Sequence, residues 1–386
     1  MPLILILRFL FSLLSLAIFC AAAYFLLRWY DGVPVRDLEG VVHQIREDWC
    51  LWTGLGALAW SFLGGLVLKP LLAGPDRRVL KSQRSSGRTL SSPSGSALYV
   101  ETHGDPGAPP IILTHGWGLD STIWGYAVED LASRFHVITW DLPGLGRSRG
   151  RIDLKSFAAD LRVVTELAGS RKAVLVGHSI GGMTIQTLVR DDPAFVDAHV
   201  AGIVLLNTTH TNPLRTMILS PLCQALRWPL IEPLMWLAIP LQPLVWASAW
   251  QSYLSGSAHI ANRIGFGKYV SRSQLNVTTL LATRNAPGAQ ARGNLAMFRW
   301  DATGALAKVS VPVLVIGGAM DIVTKPEASR TIAGSAQSVR LTIVDDVNHM
   351  GFLERYETYN EAIAAFADGA QGRSVLSEGE RAGEPV

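Results

Sequence analysis

A glycine-flanked serine is the residue best suited to do chemistry in this chain of 386 residues. Residues 177–181 read Gly-His-Ser-Ile-Gly; they follow the apolar run 173–176 and precede a helix-like stretch at 183–190. Glycines two positions before and after the serine permit a strained backbone that points its hydroxyl out of a strand-to-helix turn. The helix that follows would direct its dipole at negative charge developing beside Ser179. The pattern predicts a nucleophilic serine.

Such a serine needs a base, an acid that orients the base, and donors for the oxyanion. His349 follows the strand-like run 339–344, and Asp321 follows the apolar run 313–316. The order serine, acid, histidine along the chain is the order of one hydrolase architecture. Asp345 and Asp346 are nearer to His349 in sequence, so they stay open as alternatives for the acid.

Two further motifs complete a resemblance. Residues 115–118 read His-Gly-Trp-Gly after one apolar run, and residues 141–148 read Asp-Leu-Pro-Gly-Leu-Gly-Arg-Ser after another. With the serine, acid and histidine, they make the sequence resemble the α/β-hydrolase superfamily over roughly residues 88–367. The resemblance implies an α/β-hydrolase fold, an α/β class with a mostly parallel central sheet flanked by helices. It also implies that the backbone N–H groups of Trp117 and Ile180 bind the oxyanion, each contributing about 3 kcal/mol.

A serine at this turn narrows the expected reaction. In related families an aspartate stands there, and the enzymes are dehalogenases or epoxide hydrolases. The resemblance therefore implies ester hydrolysis through an acyl-enzyme, with His349 moving the protons. Acyl transfer and thioester hydrolysis would use the same triad and stay open, as does a non-catalytic membrane protein that binds a ligand. No cofactor and no metal are expected, because phosphate-loop and zinc-ligand patterns are lacking.

The first 73 residues carry a different signal. Residues 9–27 and 49–68 are uncharged runs of 19 and 20 residues, close to the roughly 20 that span a bilayer as a helix. Aromatic residues stand at the ends of both runs, where interfacial aromatics are expected. Glycines of the second run would allow close packing against the first: Gly54, Gly56, Gly64 and Gly65. Two transmembrane helices are predicted. The alternatives are cleavage after a small-residue site at 21–23 and burial of either run as a core helix; the lack of a polar face argues against a helix in the interface.

Charge predicts the orientation of these helices. Residues 28–48 contain three arginines and five acids, whereas basic residues dominate after the second run: Lys69, Arg77, Arg78, Lys81, Arg84 and Arg88. The positive-inside rule then places the remainder of the chain on the cytoplasmic side, in a bacterial inner membrane. The net charge of +3 is modest and favours no nucleic-acid partner. Nothing in the sequence indicates an oligomeric state.

The rest of the chain divides into a linker, a catalytic domain and a tail. Residues 74–93 are rich in Ser, Arg and Gly and are predicted to be a linker; residues 94–368 form the catalytic domain, and the polar tail 369–386 is predicted to be disordered. A cap is expected at about 208–303, built of short helices because prolines interrupt it. Its tryptophans are predicted either to pack the cap onto the main domain or to have one of two functional roles, lining an acyl pocket or touching the bilayer: Trp228, Trp236 and Trp246. The expected substrate is a hydrophobic ester or lipid.

Overall fold

Two sheets are found in the computed structural model, which describes residues 2–372, with side chains from residue 7 onward. Apolar, largely β-branched runs form most of the strands, as expected for strands buried on both faces. The strands are β1 (Val33–Arg36), β2 (Val42–Ile45), β3 (Gly87–Ser91), β4 (Ala97–His103), β5 (Pro110–Thr114), β6 (His136–Trp140), β7 (Ala173–His178), β8 (Val200–Leu206), β9 (Val313–Gly318) and β10 (Val339–Val344).

The larger sheet has eight strands in the order β10-β9-β8-β7-β5-β6-β4-β3. The strands from β10 to β6 pair in parallel, while β4 pairs antiparallel with both β6 and β3. The order reverses around β5 and β7, and ligand sites of open α/β sheets lie beyond the carboxyl ends of strands at such a point. β1 and β2 form a separate two-stranded hairpin.

Helices cover both faces of the eight-stranded sheet, and two hydrophobic clusters fill the space between helices and sheet. The helices are α1 (Pro2–Asp31), α2 (Asp48–Leu72), α3 (Gly125–Leu131), α4 (Leu154–Thr165), α5 (Ile180–Asp191), α6 (Pro193–His199), α7 (Pro213–Thr216), α8 (Ser220–Ala225), α9 (Glu232–Ala238), α10 (Gln242–Leu254), α11 (Ser257–Arg263), α12 (Arg272–Arg284), α13 (Pro287–Met297), α14 (Pro326–Ala333), α15 (Gly351–Glu354) and α16 (Tyr356–Ala370). The result is an α/β-hydrolase fold with a mixed, mostly parallel sheet.

Helices α7 to α13 form a cap between β8 and β9. As the prolines predict, these helices are short. A π-helical turn at Arg227–Ile231 leads into α9, and the chain then bends by 96° into α10. The cap has a hydrophobic cluster of its own, which includes Leu214, Met235 and Phe298.

Helices α1 and α2 are both long and apolar enough to cross a membrane. They extend beyond the expected runs 9–27 and 49–68 at both ends, and most of their large apolar side chains are exposed. The sequence suggested that the glycines of α2 face α1, but the structure shows that not all of them do. A Cβ on Gly54 would lie 2.7 Å from Leu26 of α1, but Cβ atoms on Gly64 and Gly65 would meet the cap instead.

Two boundaries differ from the sequence prediction. The expected linker 74–93 contains β3, which pairs with β4 as the edge strand of the sheet. Its Gly-Arg-Thr-Leu-Ser sequence resembles a loop because four of its five residues are exposed. The expected tail begins inside α16, which continues to Ala370, and residues 373–386 lie outside the described residues.

Candidate active site

The backbone at Ser179 is strained, as the glycine-flanked pattern predicts. Strand β7 ends at His178 and helix α5 begins at Ile180, so the serine occupies the turn between them. Its φ of 53° and ψ of −117° lie in a region that residues with a side chain rarely adopt. The N–H of Ser179 donates to the carbonyl oxygen of Leu206 at 3.0 Å, which ties this turn to the end of β8.

The two flanking glycines are required by close backbone contacts. A Cβ on Gly177 would stand 2.5 Å from the carbonyl carbon of Gly181, across the turn. A Cβ on Gly181 would stand 2.2 Å from the carbonyl oxygen of Thr114, at the end of β5. Helix α5 therefore begins directly against the loop that follows β5.

Asp321 and His349 are brought together by the loops after β9 and β10. The Nδ1 atom of His349 lies 3.0 Å from Oδ2 of Asp321, and both side chains are buried. The N–H groups of Val323 and Thr324 donate to Oδ1 of Asp321, each at 2.8 Å. The Nε2 atom of His349 has no hydrogen-bond partner within residues 2–372. The carboxylate thus fixes one ring nitrogen and leaves the other available for proton transfer.

Asp321 is held in its charged form. Burial by itself raises the pKa of the carboxyl group, but attraction to His349, the hydrogen bond from its ring and the backbone N–H of Thr324 outweigh that effect. The net result is a pKa below the ordinary value for aspartate. A carboxylate that stays ionised can orient the imidazole and stabilise the imidazolium form during a reaction.

Asn207 also belongs to this site, and the sequence did not single it out for this role. Its Nδ2 atom donates to Oδ2 of Asp321 and to the carbonyl oxygen of Asn348, both at 3.1 Å. Its Oδ1 atom accepts a bond from the buried hydroxyl of Tyr359 at 3.0 Å. Asn207 directly follows β8, so its position at the carboxyl edge of the sheet was the available signal.

His178 packs between the serine turn and the histidine loop. Its Nε2 atom lies 3.0 Å from the carbonyl oxygen of His349, and the two rings lie 4.9 Å apart. Burial lowers the pKa of His178 well below its ordinary value, and repulsion from His349 adds to that effect. His178 therefore stays neutral and supports the loop that carries His349.

The alternative acids point elsewhere. The Oδ2 atom of Asp346 lies 3.3 Å from the hydroxyl of Tyr269 and 3.8 Å from Nζ of Lys268, and this side chain is 47% exposed. Asp345 is exposed as well. Within the described residues, Asp321 is thus the carboxylate that contacts His349.

The two positions expected to bind the oxyanion belong to segments of the chain that contact each other. Trp117 belongs to the loop after β5, which contacts the first turn of α5, where Ile180 stands. Neither backbone N–H is matched with an acceptor among residues 2–372. The Trp117 indole is anchored separately, through a 3.0 Å hydrogen bond from Nε1 to the carbonyl oxygen of Gln290 in the cap.

A cavity of about 90 Å³ lies between His349, the cap and helix α1; of the predicted triad, His349 lines it, and Ser179 and Asp321 are not among its lining residues. It is mostly apolar, and its lining includes Trp117, His178, Phe266, His349 and Met350. One lining residue, Arg8, comes from α1, where the sequence suggested only an interruption of an apolar run.

The cap tryptophans do not line this cavity, which corrects one of the two roles that the sequence allowed. Trp228 is 65% exposed and Trp236 is 56% exposed, both on the outer surface of the cap. Trp246 is half-buried and donates from Nε1 to the carbonyl oxygen of Thr283 at 2.8 Å.

Comparison with known proteins agrees with this architecture. A family model described as "Alpha/beta hydrolase family" matches residues 111–362, more than half of the chain. A pimeloyl-[acyl-carrier protein] methyl ester esterase from Nitrosospira multiformis is 27% identical over 280 residues, covering 70% of this chain and 98% of the relative. The corresponding esterase of Proteus mirabilis is 37% identical over 103 residues, which are 26% of this chain and 38% of that relative.

A solved structure, the esterase EaEST from Exiguobacterium antarcticum, shares the fold. Its TM-score is 0.59 at 18% identity, with 73% of this chain and all of that chain covered. The family model matches from residue 111 onward, so helices α1 and α2 lie outside that match. The chain therefore belongs to the alpha/beta hydrolase family, and its enzyme class is an ester-cleaving hydrolase.

Proposed function

We propose that this chain is a membrane-anchored serine esterase that cleaves carboxylic esters of apolar acyl groups. The observations that carry the proposal are the buried Asp321–His349 pair and the strained turn at Ser179. His178, next to Ser179, connects them through a 3.0 Å contact with the carbonyl oxygen of His349, and His349 Nε2 has no partner among the described residues. In the proposed reaction, Ser179 Oγ attacks the ester carbonyl carbon while His349 Nε2 takes its proton. The N–H groups of Trp117 and Ile180 hold the resulting oxyanion.

The remaining steps follow from the same groups. His349 returns the proton to the departing alkoxide, which leaves as an alcohol. The acyl group remains on Ser179 as the acyl-enzyme. His349 then removes a proton from water as the water attacks the acyl carbon. The second tetrahedral intermediate collapses when its bond to Ser179 Oγ breaks and His349 gives that proton to Oγ, which releases the free acid. Asp321 remains ionised throughout and stabilises each imidazolium that forms. The two relatives, whose names specify a methyl ester of an acyl group, support this reaction class.

Membrane anchoring by α1 and α2 forms the second part of the proposal. The two helices run antiparallel, so the N-terminal end of α1 and the C-terminal end of α2 both lie beside the catalytic domain. Arg263 Nε donates to the carbonyl oxygen of Leu72 at 2.9 Å, and the N–H of Gly74 donates to Val270 at 3.0 Å. The charge bias then places the catalytic domain on the cytoplasmic side.

Not every arginine that supports this orientation is a free flanking charge. Arg84 Nη2 lies 2.9 Å from Asp120 and 3.0 Å from Asp141. Arg78 pairs with Glu129 and Asp130. Their charges are engaged within the catalytic domain, so the positive flank of α2 rests on the exposed members of the group: Arg77, Lys81 and Arg88.

The position of the cap supports an apolar substrate. Helices α10 and α11 pack against α1, and the hydroxyls of Ser255 and Ser15 lie 2.5 Å apart. Exposed apolar side chains of the cap extend the apolar surface of the hairpin: Leu222, Trp228, Leu230, Trp236, Leu237, Leu244 and Trp250. We propose that this surface lies in the bilayer interface, so that an amphiphilic ester enters the site laterally.

The size of the cavity limits what it accepts without movement. A cavity of about 90 Å³ has room for a few water molecules or a short acyl group. We therefore expect short-chain esters to be cleaved with the cap in its present position. Longer acyl chains would extend beyond the cavity.

The proposal is tested by labelling the full-length protein in membranes with a fluorophosphonate probe. Wild type is expected to be labelled, and Ser179→Ala is expected to lose the label completely because no other hydroxyl occupies the strained turn. Ser170→Ala is the matched control, since Ser170 is exposed and lies outside the site. Unlabelled wild type that is folded would reject the proposal, and labelled Ser179→Ala would reject the nucleophile.

A further inference from the structure

A positive charge from the first helix lies at the catalytic cavity. Arg8 is partly buried and lines the same cavity as Trp117 and His349. It belongs to the membrane hairpin rather than to the catalytic domain, since α1 starts at Pro2. The hairpin thus supplies one wall of the site in addition to the anchor.

This guanidinium has no anionic partner among the described residues. No hydrogen bond, ion pair or aromatic contact of Arg8 occurs among residues 7–372, whose side chains the structure describes, and the cavity lining there includes no carboxylate. Burying a charge is costly unless something pairs with it. Arginine carries five donors in a planar fork that matches the oxygens of a carboxylate or phosphate.

We propose that Arg8 is a specificity-determining residue that binds an anionic group, a carboxylate or a phosphate, on the ester substrate. The inference rests on the proposed esterase function and narrows its substrate class to anionic amphiphiles. Because Arg8 and His349 line the same cavity, we expect the anionic group to belong to the part of the substrate near the ester carbonyl. Arg8 binds and orients; the bonds that form and break remain those of the acyl-enzyme cycle.

The competing explanation is that Arg8 is an ordinary flanking charge of a membrane helix. Long basic side chains at helix ends extend toward the headgroups, where they lie in water rather than in a cavity. Arg77, beyond the end of α2, is such a residue: it is exposed and makes no contact with the cavity. Arg77→Gln is therefore a matched control, because it removes one arginine that flanks a proposed membrane helix without changing the cavity.

The test uses full-length protein in detergent micelles and two matched ester pairs. Methyl butyrate is compared with monomethyl succinate, which adds a carboxylate, and hexanoylglycerol is compared with hexanoylglycerol phosphate. The readout is the ratio of kcat/KM for the anionic member to kcat/KM for the neutral member. The pair that is sensitive to Arg8 identifies the source of the anion.

Arg8→Gln is expected to lower that ratio by about 10- to 100-fold in at least one pair, mainly through KM, since it removes a charge-assisted bond. Arg8→Lys should keep part of the preference, because the charge stays but the planar fork is lost. Arg77→Gln should leave the ratio at the wild-type value.

An unchanged ratio in Arg8→Gln, with neutral esters still cleaved by wild type, would overturn the anion-binding role and leave the esterase proposal intact. An equal fall in Arg77→Gln would also overturn it, because the effect would then come from membrane charge. If wild type cleaved none of the four esters and also failed to react with fluorophosphonate, both proposals would be overturned.

Discussion

At the scale of single residues, the site depends on a conformation that only a few close contacts permit. Ser179 has a positive φ, and such strain persists only where the surroundings fix it. The surroundings here are backbone atoms, since helix α5 starts within contact distance of the end of β5. The glycines of the turn therefore have a steric role that an activity assay and a stability assay can both detect.

Gly181→Ala is expected to damage the enzyme because its Cβ would stand 2.2 Å from the carbonyl oxygen of Thr114. Backbone atoms cannot yield cheaply, so we expect a loss of about 1–3 kcal/mol in the free energy of unfolding. Fluorophosphonate labelling should fall sharply, because the shift moves Ile180 and Ser179. Labelling rate and thermal unfolding in detergent measure the two effects.

Gly369→Ala is the control, since a Cβ there meets nothing within 4 Å and the residue also lies in a helix. It should be neutral or stabilising by up to about 1 kcal/mol, because alanine favours helix over glycine. If Gly181→Ala and Gly369→Ala showed the same labelling rate and the same thermal unfolding, the steric explanation of the turn would be wrong.

The residues predictable from the sequence were those with a local pattern. The position of Ser179 follows from two glycines and a strand-to-helix turn, and the pairing of Asp321 with His349 agrees with the order of motifs. Asn207 and Arg8 had no comparable signal, because their contacts lie far away in sequence. Asn207 bonds to Asp321 across 114 positions, and only the sheet topology places them together.

At the scale of elements, hydrophobic runs predicted the parallel strands but not the edge of the sheet. Strands β5 and β7 are buried at every residue, so their apolar runs are continuous. Strand β3 needs no such run because it pairs on one side only and stays mostly exposed. A polar edge strand therefore looks like a linker when only composition is considered.

The contact between α2 and the cap could not be predicted from the sequence either. Small residues in a membrane helix predict a close approach of another backbone, but they do not say which one. In the structure a Cβ on Gly64 would stand 2.4 Å from the carbonyl oxygen of Ser255, at the end of α10. The hairpin and the cap are therefore packed backbone to backbone.

Gly64→Ala is expected to loosen this contact and to lower the thermal midpoint in detergent. Overpacking of this kind typically lowers the free energy of unfolding by about 1–3 kcal/mol. Gly56→Ala, in the same helix, is the matched change, since a Cβ there meets nothing within 4 Å. Its midpoint should equal or slightly exceed that of wild type, because alanine favours helix over glycine. If Gly64→Ala were also silent, the cap would not pack on α2 in the way the structure shows.

At the scale of the whole molecule, anchor, cap and catalytic domain converge on one cavity. Helix α1 contributes Arg8, the cap contributes Phe266, and the sheet edge contributes His349. In the proposed membrane anchoring, substrate access would be set by where the hairpin lies relative to the bilayer. The proposed two-span topology puts β1 and β2 on the side opposite the catalytic domain, about one bilayer thickness away along α1 and α2.

That topology predicts which surfaces a membrane-impermeant maleimide reaches in intact bacterial cells. In a background with the three native cysteines replaced by alanine, Leu38→Cys at the fully exposed turn between β1 and β2 should be labelled before lysis. Lys155→Cys, exposed on α4 of the catalytic domain, should be labelled only after lysis. The reverse pattern would place the catalytic domain outside, and labelling of both before lysis would mean that α1 and α2 do not form a two-span anchor. Because Arg8 and the catalytic cavity lie at the same end of the hairpin, the result also decides from which leaflet an anionic ester would enter.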